Sequence, residues 1–199
     1  MNGSLYNGEL VAGGLLVRES RLVADLMRKG MGKKDFLDAI VQDNILQKRS
    51  PAAARRQATL IWKRFSMLDP TFLPIIADGP HDQTCQAVFC AAIKHNHLVG
   101  DFILKVVGEH KRTFKGRLHI LDWDRFFEDC SHIEPRLALW SDSTKAKIRQ
   151  VVFRILSEAA VIDSARSKTI MPFYLTPEVE AMLRSTHEQY VLKCLEAIQ

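Results

Sequence analysis

Apolar residues recur at spacings of three and four along most of the chain, which predicts a protein that is helical almost throughout. Ser50 followed by Pro51 is a strong helix start, since Ser caps free N–H groups and Pro fits the first helical position. Residues 164–175 are short and contain Pro172, so they are predicted to form a loop or a short β-ribbon. The predicted helices cover about 17–29, 33–44, 51–68, 70–78, 82–94, 98–111, 122–130, 143–161 and 177–198.

The helical pattern favours an all-α fold class, with the helices packed into a compact multi-helix globular protein. The 199 residues suit a single all-helical domain, 1–199, with sub-modules at about 1–78 and 79–199 that each hold one helix-turn-helix-like unit. Gly79 is expected to end its helix in a left-handed conformation, and Asp122 is expected to cap the helix that follows it.

Charge is segregated along the chain. The 28 Lys and Arg residues exceed the 23 Asp and Glu residues by only five, which is a weak hint of an anionic partner. Three blocks contain no acidic residue and carry the excess: 44–68 with net +6, 110–121 with net +4, and 143–157 with net +4. Runs of like charge are commonly solvent-exposed faces without a partner. The three blocks are therefore equally compatible with such faces and with a surface that binds an anionic partner.

Helical geometry places the first and third basic blocks on outward faces, since the apolar residues of both helices share the opposite face. The outward positions are Ala52, Arg56, Thr59 and Lys63, flanked by Arg55 and Arg64, in the first helix, and Ser143, Lys147, Gln150 and Arg154 in the second.

Each of these two helices follows a shorter one, as in helix-turn-helix units, whose second helix lies in the major groove of DNA. The connections, residues 45–49 and 131–140, are longer than the usual turn of three or four residues, which weakens the match. If the second unit is a winged helix-turn-helix, residues 164–175 would form its wing, the β-ribbon that follows the DNA-contacting helix. Arg166 and Lys168 would then contact phosphate.

Several classes of protein are disfavoured. The longest uncharged stretch, residues 83–93, has 11 residues, whereas a membrane-spanning helix needs roughly 20. Residues 1–14 lack the basic start of a secretory signal. Without such a signal, the four cysteines are expected to be reduced thiols in a cytoplasmic protein, because they show no CxxC spacing. They are Cys85, Cys90, Cys130 and Cys194.

The chain lacks the common catalytic and cofactor motifs: GxGxxG after a strand, a P-loop, HExxH and GxSxG. His95 and His97 have no further ligand at metal-site spacing beside them. Asp122 and Asp124 are better explained by helix capping than by paired-carboxylate chemistry. We therefore expect no catalytic residue, no metal and no cofactor.

Several segments resemble the BrxA family of BREX (bacteriophage exclusion) phage-defence proteins, from about Gly14 to Leu183. Each segment is short, and it is their order and spacing together that are specific. The most distinctive is KIRQVVFRILSEA at residues 147–159. The others are GLLVRES at 14–20, NILQKRSPA at 44–52, ADG at 77–79, AIK at 92–94, DF at 101–102, DWDRFF at 122–127 and WSDST at 140–144.

The resemblance implies an all-α protein with helix-turn-helix-like units that binds DNA and acts in phage defence beside a methyltransferase and ATPase components. The family has also carried the labels of an inner-membrane protein and of a NusB-like RNA-binding antitermination factor. The short uncharged runs argue against the first label. The second stays open, because a basic helical surface binds either nucleic acid through phosphate.

We predict a monomeric, cytoplasmic, non-enzymatic component of a BREX system that binds double-stranded DNA through basic helix faces. An adaptor that docks other BREX proteins and an RNA-binding factor are the alternatives. The predicted DNA-binding residues are Lys48, Arg49, Arg55, Arg56, Lys63, Arg64, Lys111, Arg112, Lys115, Arg117, Lys147, Gln150 and Arg154.

Overall fold

The computed structural model describes residues 6–199, so the expectations for a secretory signal and for the start of the domain lie partly outside the described residues, at 1–5. A 3₁₀ helix, Gly8–Ala12, precedes the first α-helix. The α-helices are α1 (Val17–Arg28), α2 (Lys33–Gln42), α3 (Pro51–Phe65), α4 (Phe72–Asp78), α5 (His81–His95), α6 (His97–Phe102), α7 (Gly108–Arg112), α8 (Ile120–Ile133), α9 (Asp142–Glu158), α10 (Pro177–Ser185) and α11 (Gln189–Glu196).

The predicted all-α fold class is confirmed, and the described residues contain no named strand. The capping residues act where the sequence indicates. The Ser50 hydroxyl accepts a hydrogen bond from the Ala53 N–H at 3.3 Å, and the Ser141 hydroxyl accepts one from the Thr144 N–H at 3.3 Å. Both helices that carry the predicted basic faces therefore have defined starts.

Two helix ends differ from the prediction. Gly79 is extended, with φ −66° and ψ 166°, rather than left-handed, because the following Pro80 disfavours helical and turned conformations of its predecessor. The helix predicted at 177–198 is divided into α10 and α11. His187 stands between them in the left-handed region, with φ 58°, which a continuous helix cannot contain.

One helix interior and one helix start also differ. The helix predicted at 98–111 contains a π-helical segment, Ile103–Val107, between α6 and α7, and a spacing of three and four does not reveal that extra residue per turn. The helix α8 starts at Ile120, before the predicted start. Asp122 caps it from inside the first turn, where its carboxylate accepts a hydrogen bond from the His119 N–H at 2.7 Å.

The helix α5 lies at the centre of the core, since all side chains from residue 87 to residue 93 are fully buried. Beside it, an aromatic group joins α6, α8 and α9. The Phe102 ring lies 5.2 Å from the rings of Trp123 and Phe126 and 5.8 Å from that of Phe153, in edge-to-face contacts. These contacts fix α9, with its basic face, against the core.

The segment 164–175, predicted as a loop or a short β-ribbon, is a loop with two isolated bridges, and we call this bridged loop the ribbon. Isolated antiparallel bridges pair Arg117 with Thr169 and Ile162 with Ile170. The Leu118 N–H donates to the Lys168 carbonyl at 3.0 Å, so the connector after α7 is joined to the segment after α9. The second basic block is thereby attached to this ribbon.

The N-terminal turn, residues 13–16, is held by two charged side chains from distant helices, and we call this arrangement the clasp. The Leu15 N–H donates to the Glu158 carboxylate at 2.6 Å, and Arg64 donates to the Gly14 carbonyl at 2.7 Å. A Cβ at Gly14 would collide with the Glu158 carboxylate, so glycine permits the close approach. Leu16 completes the turn in the left-handed conformation, with φ 59°.

The expectation that Arg64 is available to DNA is wrong, because Arg64 is only 1 % exposed. Its position on the edge of the apolar face of α3 turns its long side chain inward, under the N-terminal turn. Burial lowers the pKa of Arg64 to about 10, although the Glu158 carboxylate opposes this change. Its Nε and Nη2 atoms have no hydrogen-bond partner among the described residues.

Arg64→Ala is expected to lower the free energy of unfolding by about 3 kcal/mol, because it leaves a cavity and an unpaired Gly14 carbonyl. Arg64→Met retains most of the volume and removes an incompletely satisfied buried charge, so the expected loss is only about 1 kcal/mol. Urea denaturation followed by circular dichroism measures both losses. Equal losses would mean that the charge, rather than the packing, holds the clasp.

Two buried histidines are held in the neutral form. His95 is 8 % exposed and His110 is 6 % exposed, and burial lowers the pKa of each below the ordinary value of 6.5. Glu9, 3.0 Å from His95, favours the charged form, while Arg64 and Lys63 oppose it. The unfolded chain therefore binds more protons than the folded chain once the pH falls below about 6.5.

The contribution of these histidines to the free energy of unfolding is accordingly expected to be fully present above pH 6.5. The free energy of unfolding should fall as the pH drops toward 5. His95→Gln should make this decline shallower, because it removes one of the three histidines, with His97 and His110, whose pKa is lowered by burial. His132→Gln, which alters an exposed histidine of α8, is the matched control and should leave the decline unchanged. Urea denaturation at a series of pH values tests this, and a decline that is identical in the wild type and His95→Gln would contradict it.

Candidate nucleic-acid interface

A cleft of about 580 Å³ lies between α3, α9 and the N-terminal turn. Two cationic side chains line it from the first basic block, Lys48 and Arg56, and two from the third, Lys147 and Arg154. These blocks are far apart in the sequence. They meet because the 3₁₀ helix and the clasp lie between α3 and α9 and join both helices.

Two of these four cations are paired with acidic residues inside the cleft. Lys48 forms a half-buried ion pair with Glu19, and Arg154 donates to the Glu158 carboxylate at 2.7 Å. Burial opposes the ionisation of Glu19, but the Lys48 hydrogen bond and charge outweigh it and lower the pKa of Glu19. These pairs shape the cleft walls and reduce the positive charge that the sequence assigns to them.

Other cations at the cleft and its rim have no acidic partner among the described residues. Arg56 is exposed, and so are Arg49 and Arg55 on the same segment of chain. On α9, the Lys147 ammonium donates to the Gln150 side-chain oxygen at 3.0 Å, and both side chains are exposed. An anionic ligand can reach these five side chains without first displacing a carboxylate.

The outward face of α3 is more covered than predicted. The 3₁₀ helix lies against it, and Lys63 forms an ion pair with Glu9 of that helix. Thr59, on the same face, is half-buried. Only the first turns of α3, with Ala52, Arg55 and Arg56, are therefore open to solvent.

The second basic block does not line the cleft. Lys111 donates to the carbonyl groups of Ile198 and Gln199, at 2.8 Å for Gln199, and Arg112 forms an ion pair with Glu109. Lys115 contributes to a separate cavity beside the ribbon. Arg117 donates to the Ser167 carbonyl at 2.6 Å.

Sequence reasoning missed several polar side chains that line the cleft: the acidic Glu19 and Glu158, and also Gln57, His81 and Cys85. The Gln57 side-chain oxygen is buried without a hydrogen-bond partner among residues 6–199. His81 and Cys85 are one helical turn apart on α5, and their Nε2 and Sγ atoms lie 3.4 Å apart. Burial raises the pKa of Cys85, so this contact does not produce a reactive thiolate. Only the spacing of four residues could have indicated the pair.

The two histidines considered as metal ligands have other contacts. His95 faces Glu9, and the His97 ring stacks on that of Tyr190 at 4.2 Å. The described part of the chain holds no cluster of three or more His, Cys, Asp or Glu side chains placed to bind a metal. Every helix within residues 6–199 is too short or too polar to cross a membrane.

The predicted helix-turn-helix units have the required neighbours. The helices α2 and α3 pack against each other, and Arg149 of α9 forms an ion pair with Asp124 of α8 at 3.1 Å. The connections remain long, from Asp43 to Ser50 and from Glu134 to Ser141. The helix-turn-helix interpretation therefore stays a prediction.

Comparisons with known proteins agree with one another. The BrxA family model matches residues 4–187 of this chain. A "BREX protein BrxA" of Paramagnetospirillum magneticum is 36 % identical over 191 residues, which cover 96 % of each chain. A "BREX protein BrxA" of Escherichia coli O9:H4 is 34 % identical over 195 residues, which cover 98 % of this chain and 92 % of the relative.

The fold is also found in a crystal structure, that of an uncharacterized protein from Magnetospirillum magneticum. It superimposes with a TM-score of 0.89 at 34 % identity, covering 96 % of this chain and 98 % of the other. Three segments on which the sequence resemblance rests, residues 14–20, 44–52 and 147–159, all contribute to the cleft. The family model, the relatives and the shared fold lead to one conclusion: the chain belongs to the BrxA family of BREX phage-defence proteins.

Proposed function

We propose that the protein is a non-enzymatic, double-stranded-DNA-binding component of a BREX system and that the cleft between α3 and α9 is its DNA-binding site. The meeting of the first and third basic blocks in one cleft carries this proposal. Phosphate dominates the affinity of proteins for DNA, and it requires cations grouped on one surface. DNA in the cytoplasm is the expected target.

The cations without an acidic partner form two groups, one on each side of the cleft, where they could contact the phosphates of a DNA duplex. Arg49, Arg55 and Arg56 lie at the open start of α3, where the small Ala52 permits close approach of a phosphate backbone. Lys147 lies across the cleft on α9. The proposed contacts are phosphate contacts, which position the protein but carry no sequence information by themselves.

Gln150 is the side chain best suited to read a base. It is exposed on α9, one turn from Lys147, and a glutamine can pair with adenine through two hydrogen bonds in the major groove. Arg154 is 60 % exposed and paired with a residue of its own helix, so it can exchange Glu158 for a phosphate. Lys48 is more deeply held and keeps a structural role in this proposal.

The affinity for a DNA duplex is expected to fall steeply with salt, because each neutralised phosphate releases counterions. The logarithm of the association constant should fall with the logarithm of the salt concentration by roughly 0.9 per phosphate contact. Arg56→Ala and Lys147→Ala should each weaken binding to any duplex sequence and reduce this slope by about one. Fluorescence anisotropy of a labelled duplex at several salt concentrations measures both quantities.

Lys193→Ala is the matched control, because Lys193 is an exposed lysine on α11 that does not line the cleft. It removes the same charge and should leave the slope unchanged. A slope near zero for the wild type, or equal effects of Lys147→Ala and Lys193→Ala, would contradict the proposed site. A structured RNA that competes better than duplex DNA at equal salt would favour the RNA-binding alternative.

A further inference from the structure

Two large aromatic side chains project into solvent beside the second basic block. Phe114 is 95 % exposed and Tyr174 is 81 % exposed, and both line a cavity of about 350 Å³. Met171, which is 40 % exposed, also lines this cavity. We call this the aromatic surface. Fully exposed aromatic rings that share a cavity differ from the scattered apolar residues of an ordinary protein surface.

Both aromatic residues are presented by backbone that is fixed by hydrogen bonds. Phe114 adopts the left-handed conformation, with φ 55°, which is unfavourable for a bulky residue. The Lys115 N–H donates to the His110 carbonyl at 2.8 Å and so closes this turn. On the other side, the Gln86 amide donates to the Tyr174 carbonyl at 2.8 Å. The backbone that carries both rings is thus ordered before any ligand arrives, which lowers the entropic cost of binding.

The surroundings of the aromatic surface are cationic. Lys115 lines the same cavity, and Arg117 forms a bridge to the ribbon. Arg166 lies in the turn at residues 165–167 and Lys168 follows this turn, where its carbonyl accepts a hydrogen bond from Leu118, the neighbour of Arg117. Among the described residues, none of these four cations forms an ion pair with an acidic side chain. Backbone carbonyl groups accept hydrogen bonds from Arg117 through its Nε atom and from the ammonium groups of Lys111 and Lys168.

We propose that the aromatic surface binds single-stranded nucleic acid, with an unpaired base against Phe114 or Tyr174 and the neighbouring phosphates on Lys115 and Arg117. Rings that stack on successive bases beside cations that follow the backbone are the usual means of binding single strands. A cavity of about 350 Å³ is also large enough for a small ligand of the size of a nucleotide.

The exposure of the two rings favours a nucleic acid over a protein segment. An interface that anchors a peptide depends on pockets from which water is excluded. Here the rings leave almost their whole surface open, so a flat base can lie against a ring face, and the rim is cationic rather than neutral. This site is separate from the cleft residues, so the two proposals stand or fail independently.

The test is fluorescence anisotropy with a labelled strand of about 12 thymidines, since single-strand sites cover roughly 4 to 16 nucleotides. Phe114→Ala and Tyr174→Ala are each expected to weaken binding roughly five-fold or more, the loss expected for one stacked base. Phe114→Tyr and Tyr174→Phe keep the rings and should bind as the wild type does. None of the four variants should alter the affinity for a duplex.

Leu139→Ala is the matched control, because Leu139 is an apolar residue that is 85 % exposed and lies outside this cavity. It should leave single-strand binding unchanged. A strand of uridines run in parallel shows whether DNA or RNA is preferred. Single-strand affinities that do not change in Phe114→Ala and Tyr174→Ala would overturn the proposal and leave a protein-docking surface as the explanation.

A second measurement does not depend on the loss of affinity. Phe114→Trp places an indole in the aromatic surface, and its fluorescence should be quenched when the thymidine strand is added, because stacking on a base quenches indole emission. Leu139→Trp should show no such quenching. Equal responses of the two variants would overturn the stacking geometry even if the strand binds.

Discussion

The clasp is the contact on which the rest of the functional architecture depends. Glu158 and Arg64 each place charge against the backbone of one short turn, and α3 and α9 are thereby joined across it. Arg64 is buried with two of its nitrogen atoms unpaired among the described residues, whereas the two oxygens of Glu158 accept hydrogen bonds from Leu15 and Arg154. Gly14 permits the turn to pack closely against Glu158. This packing offsets the free-energy cost of placing charged groups at the turn and so maintains the cleft.

Net charge along a chain is a poor guide to the charge that a partner meets. The first basic block has net +6 in the sequence, yet Lys48 and Lys63 are neutralised by Glu19 and Glu9, which lie outside the block. Both acidic partners belong to the N-terminal segment, and nothing in the spacing of residues 44–68 indicates them. Long-range pairing therefore determines which cations remain available, and it leaves Arg49, Arg55 and Arg56.

The helices could be predicted because their determinants are local. Apolar spacing and the Ser50 and Ser141 caps act over a few residues, and the structure has helices at these places. The cleft could be predicted only in part. Its cations belong to faces that periodicity identifies, but the burial of Arg64 and the cover over Lys63 arise from the 3₁₀ helix, whose position depends on distant contacts.

The clasp also bears on how the protein is made. The Leu15 N–H and the Glu158 carboxylate are 143 residues apart in the chain, so no local segment can form the contact by itself. During synthesis the N-terminal turn and α3 leave the ribosome long before α9 does, and the cleft has only one wall until then. The cleft is consequently complete only when most of the chain has been translated.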